Sequence, residues 1–448
     1  MKRLDVNTLF TPRRRESGFT IVELMVGMLI GLISIVVMFQ VFAVSEGQRR
    51  TTTGAGDAQQ NGVTSLYLME RDARLSGYGL NFFHLLGCQV NGFWTPSVQP
   101  ITFTLAPAVI TNGAAGTAPD KITFAYGDAD TFSFPAALAN PTSAAASGFI
   151  RIKDDRFPFK PGDLFVIGEV PQPAPASQTL KPCSLFQVTA LPGLAGQPAG
   201  PNEQINFSGA NFVDDNLVNR AANYVPPTAN ASTQVAPNNV YYSAWIPKTG
   251  TTSFGGRAIN LGGQPTVMEY SIVNNQLVAR NILLPDEPAV PISDGIVQLQ
   301  AQYGMSNHDV AGGATPGTCV LLSSTLSPCV ISPTATNAPT LNLTNLNNDQ
   351  WADAFPPATV LTAFDWRRII AVRFIIVARS GQREKVNPTS GVCDTTVVAP
   401  VWSANGMSID LTADPDWQCY RYRTFEAVVP IRNFMWFPDP TGTSVPSA

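Results

Sequence analysis

The stretch "RRRESGFTIVELMVGMLIGLISIVVMF", residues 13–39, sets three arginines before an apolar run that carries one acid, Glu23, at its start. From Leu24 to Ser45 no residue is charged. As a helix rising about 1.5 Å per residue, these residues span roughly 33 Å, the thickness of a bilayer core. Arg13, Arg14 and Arg15 hold the amino end in the cytoplasm by the positive-inside bias and send the chain after Ser45 across the membrane. Glu23 is the oddity, since a lone carboxylate entering hydrocarbon costs a few kcal/mol or more unless something pairs with it.

Two plain readings compete. A secretory signal would be cut near Ala43-Val44-Ser45, but signal cores run about 7 to 15 apolar residues and this one is longer. A simple signal anchor leaves Glu23 at the interface with nothing to do. Neither explains the order Gly18, Phe19, Thr20, Ile21, Val22, Glu23. Read on as "GFTIVELMVGMLIG", that order resembles, without a gap, the class III signal of type IV prepilins and type II secretion pseudopilins.

The resemblance implies that a membrane prepilin peptidase cuts between Gly18 and Phe19 and methylates the Phe19 amine. It also implies that Glu23 meets the terminal amine of a neighbouring subunit during assembly. An unmatched pair of charges in a low-dielectric core is costly, so such a pair sets register. Gly27 and Gly31, spaced Gly-x-x-x-Gly, can bring a neighbouring helix close, although glycine is common in membrane helices anyway.

The chain has 448 residues, with 35 glycines, 37 prolines and only 13% charged residues, a composition of strands and loops outside the cytoplasm. Its net charge is −4, and setting aside the +3 of the first eighteen residues leaves an acidic body of −7 with scattered basic residues. That excludes a phosphate-tracking stripe and disfavours nucleic acid. All six cysteines lie beyond the apolar run, and an even count in an exported body predicts disulfides. The short Cys319–Cys329 and Cys393–Cys419 loops are the preferred local pairs, which leaves Cys88 with Cys183 by elimination. With two histidines, His84 and His308, and no Cys-x-x-Cys, no zinc site is expected.

After the membrane run the helix is expected to continue, with Val63, Leu66, Met69 and Ala73 on one face and Ser76-Gly77 ending it. Thr51–Thr53, Gly54 and Gly56 are poor helix formers, so its middle is expected to be loosened or broken. "VMEYSIVNNQLVARNILL", residues 267–284, predicts a hairpin turning at Asn274-Asn275. "GIVQLQAQYGM" alternates as a half-buried strand does, "RRIIAVRFIIVARS" (367–380) reads as a central strand, and "RTFEAVVPIRN" (423–433) as a last one. Residues 169–237 and 307–357 read as long surface excursions.

The expected fold is α+β and pilin-like: a leader over 1–18, a transmembrane helix over 19–45, its periplasmic continuation over 46–78, and a mainly antiparallel β-sheet head with long loops over 79–448. Within the prepilins, "LMERDARLSGYG", "ISDGIVQLQAQYG" and "YRYRTFEAVVPIRN" resemble the PilW group of minor pilins, whose secretion counterparts are the J-type pseudopilins. The resemblance implies inner-membrane lipid before assembly and then a pilus, with the peptidase, other minor pilins and the major pilin as partners. The rival roles are a J-type pseudopilin and a tip adhesin.

No nucleophile elbow, phosphate loop or His-Glu-x-x-His occurs, so neither catalysis nor a cofactor is expected. Asp410, Asp414 and Asp416 beside Trp417, and more weakly Asp128 and Asp130, are oxygen donors of the calcium type, though solvated turn acids are the simpler reading. The seven tryptophans read as core or loop anchors.

Overall fold

The computed structural model describes residues 18–80, 85–113, 118–129, 135–138, 148–152, 159–169, 182–192, 204–225, 256–305, 351–352, 366, 369–387, 389–404 and 406–435. The chain divides into two compact units at Ala55/Gly56. One α-helix, Ile21–Leu75, passes through that boundary unbroken. The expected break at the threonines is absent. The hydroxyls of Thr51 and Thr52 donate back to the carbonyls of Gly47 and Gln48, at 3.0 and 2.9 Å. Glu46 and Arg50 add an i,i+4 ion pair of 3.0 Å one turn earlier.

In the second unit the helix buries Ala58, Gly62, Ser65, Met69, Asp72 and Ala73, which fall on one face. Met69 and Ala73 lie on the expected face, and Leu66 packs partly against it. Val63 does not, being about half exposed; its place is taken by the buried Gly62. A β-carbon at Gly62 would overlap the Phe425 ring, so a hydrogen atom there lets the sheet approach. The helix stops after Leu75, where Gly77 takes φ +83°.

Among the described residues the three larger sheets have seven, five and four strands, three further sheets have two each, and nearly all pairing is antiparallel. A five-stranded sheet runs Val290–Asp294, Gln276–Asn281, Thr266–Val273, Lys121–Tyr126, Ala108–Thr111. Its hairpin turns at Asn274 and Asn275, both at positive φ (51° and 61°), the tight turn the dipeptide predicts. A four-stranded sheet runs Trp351–Ala352, Ile296–Met305, Ile369–Arg379, Tyr422–Pro430. Ile369–Arg379 is buried on both faces, as its β-branched residues on both parities require. Val372, Phe374, Ile376 and Ala378 join Met69 and Ala73 of the helix in the largest core, while Ile375 and Val377 face Trp402, Ile409 and Leu411 on the other side.

That second cover corrects the reading of "GIVQLQAQYGM". Gln298, Gln300 and Gln302 are buried rather than solvated. Gln300 Nε2 donates to the Ala118 carbonyl (2.9 Å), and Gln302 accepts from the buried Arg373 (2.6 Å), whose guanidinium lies over Trp351 and Trp402.

A seven-stranded sheet holds Gln89–Trp94, Cys183–Gln187, Leu164–Glu169 and Gly256–Gly262 at its centre, and beside it Phe165 stacks on Phe186 while Phe159 and Phe207 meet these two rings edge to face. It contains the one parallel pairing among the described strands, Val90 with Cys183 and Asn91 with Ser184. This corrects the reading of 169–237 as surface excursion, because Cys183–Gln187 is wholly buried. The Cys88–Cys183 disulfide spans the parallel pair (Cα–Cα 5.8 Å), and Cys393–Cys419 closes the later loop (4.9 Å). Cys319, Cys329 and nearly all of 307–357 lie outside the described residues.

Candidate functional site

The residues around Glu23 form the start of the long helix. Thr20 caps it: its Oγ1 accepts from the Glu23 N–H at 3.3 Å, and its carbonyl accepts from the Leu24 N–H at 3.1 Å. Thr20-x-x-Glu23 is the spacing of a capping box, with the acid in the first helical turn where the helix dipole favours negative charge. The role of Thr20 was missed in the sequence, although the spacing signals it. Glu23 therefore stands on a turn that is already ordered.

Phe19 is 82% exposed and Ile21 81%. From Leu24 to Val44 the large apolar side chains are likewise exposed, and the segment is the one described helix apolar enough to cross a membrane, with mean hydropathy 2.6. Ser34, the polar residue at its centre, returns its hydroxyl to the Ile30 carbonyl at 2.8 Å. A β-carbon at Gly18, Gly27 or Gly31 would meet nothing within 4 Å. Among the described residues nothing crowds these three positions.

Two family models match the chain: the prokaryotic N-terminal methylation motif over residues 13–39 and the type IV pilus-assembly protein W over residues 274–433. Over these two stretches the chain is similar to PilW-like type IV prepilins. No curated protein and no solved structure matches it. The PilW match begins at the Asn274-Asn275 turn and takes in the long strands of the four-stranded sheet, while the seven-stranded sheet lies outside both matches. The apolar helix and the methylation motif are consistent with membrane anchoring and pilus assembly.

In the PilW-like head, the acids considered for calcium have other partners. Asp414 pairs with Arg379 (2.7 Å), Asp416 with Arg383 (2.9 Å), and Asp410 accepts from the Thr412 N–H (2.8 Å); the Thr412 side chain first, and this N–H second, lower the Asp410 pKa. With Cys393–Cys419 they tie down the segment between the last two long strands. Asp128 accepts from the Gln264 N–H at 2.9 Å, and Asp130 lies outside the described residues. His84, His308, Trp245 and Trp436 also fall outside. Trp351, Trp366 and Trp402 are buried, as anchors are.

A second acid of the long helix, Asp72, is buried. It accepts from Tyr270 Oη (2.6 Å) on the five-stranded sheet and from Arg71 Nε (2.9 Å) beside it. Burial, then the bond to Asp72, pushes the Tyr270 hydroxyl far above its usual pKa. Asn433 Nδ2 donates to the carbonyls of Arg74 and Leu75 at 3.1 Å, covering the helix end.

Proposed function

We propose that the chain is a minor type IV pilin, cut between Gly18 and Phe19, that helps to start pilus assembly and has a place near the tip. In this reading residues 1–18 are the leader, 19–45 the membrane helix, 46–78 its continuation and 79–448 the head. The observation that carries it is the pairing of a methylation motif over 13–39 with a helix whose first turn is capped by Thr20 and presents Glu23.

Cleavage releases a cation at Phe19, about one helical turn from Glu23. A subunit docked in register brings the amine of one chain to Glu23 of the next, and a misplaced one leaves both charges unmatched. The apolar helix, lacking a core of its own, takes its packing from lipid and then from other pilins, among them the major pilin.

The test is complementation of a deletion strain with Gly18→Ala and Glu23→Ala, counting surface pili and twitching motility. Uncleaved Gly18→Ala protein with normal piliation would sink the mechanism. Piliation kept but secretion of an exported enzyme lost would move the chain to a J-type pseudopilin.

A further inference from the structure

A cavity of about 440 Å³ opens where three parts of the head converge: the Asn274-Asn275 turn, the start of Ile296–Met305 and the loop after Ile409. Its volume lies in the range of small-ligand sites. Val297, Leu411 and Ala413 give it apolar wall, Pro119 and Pro415 stiffen that wall, and Asn275, Asp410 and Asp414 give it polar atoms.

Both carboxylates are held in place by the head itself. Asp410 accepts from Thr412 of its own loop. Asp414 accepts from the Asp416 N–H at 2.9 Å, and its other oxygen pairs with Arg379, whose guanidinium lies 4.2 Å over the Tyr420 ring. Leu411 is buried with Ile409 and Trp402, which fixes the loop between the two acids, and the Cys393–Cys419 disulfide closes the chain around it. A ligand therefore finds the acids already placed. Arg379 neutralises Asp414, whereas Asp410 has no ion-pair partner among the described residues, and no described lysine or arginine lines the cavity. The lining is left with net negative charge.

We propose that this cavity binds an alkylammonium group, carried either by a lysine of another protein or by a free diamine; the proposal does not rest on the pilin reading above. The mixed lining selects that class. An anion meets only acids here. A bare calcium ion takes about six to eight oxygen ligands and gains nothing from apolar wall, while one of the two carboxylates is already paired. An ammonium can donate to Asp410, to Asp414 and to the amide oxygen of Asn275, a side chain with no partner among the described residues. Its methylene stem lies against Val297, Leu411 and Ala413.

The experiment uses the full-length chain in detergent and a fluorescent peptide with blocked ends that carries a single lysine among alanines, read by anisotropy at low ionic strength. Saturable binding is expected, weakened about tenfold or more by Asp410→Asn and lost when the lysine is acetylated. Glu287→Gln removes the same charge outside the lining and should leave binding unchanged. Ala413→Lys brings an ammonium to the cavity from the chain itself and should block the peptide; Ala413 is exposed, so this variant carries the test should Asp410→Asn fail to fold. Cadaverine separates the two sources: displacement of the peptide assigns the cavity to free diamines as well, and no displacement assigns it to a protein-borne lysine. Absence of saturable binding, binding that survives both cavity variants, or equal weakening by Glu287→Gln overturns the proposal.

Discussion

The long helix carries two acids whose circumstances differ. Asp72, in the head, is buried and has its partners within the chain, Tyr270 across the core and Arg71 beside it. Glu23, in the first turn, is exposed among exposed apolar residues, and among the described residues its side chain has no hydrogen-bond or ion-pair partner. The head half of the helix is completed by folding. In the reading proposed above the membrane half is completed by other subunits, and the difference is marked by an acid that has no side-chain partner among the described residues.

The largest effect expected from this contrast is on assembly, not stability. Glu23→Gln should abolish surface pili while the melting temperature of the purified protein stays put. Asp72→Asn should do the reverse, lowering the melting temperature in proportion to the loss of a charged, buried hydrogen-bond acceptor. If Glu23→Gln melts earlier and still assembles, the two acids have been assigned the wrong way round.

Within the head, breaking Cys393–Cys419 by paired serines should cost roughly 2–4 kcal/mol by removing a cross-link over 26 residues of sequence separation. Gly62→Val should cost about 1–3 kcal/mol, since the new carbons meet the Phe425 ring. Phe425→Ala in the same chain should recover part of it, a coupling that denaturant melts would register. Tyr270→Phe leaves one buried lone pair of Asp72 unfilled and should cost on the order of 1–3 kcal/mol.

The features that could be read in the sequence were those in which each residue reports its own surroundings. The unbroken apolar run gave the membrane helix, the double asparagine gave the hairpin, and β-branched residues on both parities gave the central strand. What was missed lies in relations between distant residues. Gly62 has no hydropathy to betray that it lies against Phe425, so Val63 was placed on the buried face instead. Gln298, Gln300 and Gln302 looked solvated because what covers them lies far off in sequence: Gln300 donates to the Ala118 carbonyl, and Gln302 accepts from Arg373, whose guanidinium lies over Trp402. Cys183–Gln187 is five residues among prolines and pairs with a strand some ninety residues earlier. At the amino end, Gly18, Phe19 and Glu23 were legible as a motif, whereas Thr20 was passed over though its spacing to Glu23 was in view.

The smallest effect expected separates a buried acid that supports the fold from one that weakens it at neutral pH. Asp163 is buried in the seven-stranded sheet region, where it accepts from Asn260 Nδ2 at 2.8 Å and from the Lys160 N–H at 2.9 Å. Burial raises its pKa, more than these two bonds lower it. Between the usual carboxylate value and the raised one, the native state holds a proton that the unfolded state has released, so stability falls as pH rises through that window and levels off above it. Asp163→Asn keeps an acceptor for both bonds and carries no charge. Its melting temperature should therefore lack that decline and at neutral pH should equal or slightly exceed that of the parent. A parent whose stability instead rises through the same window would show that the two hydrogen bonds outweigh burial, and that Asp163 belongs with Asp72 among the acids that folding has satisfied.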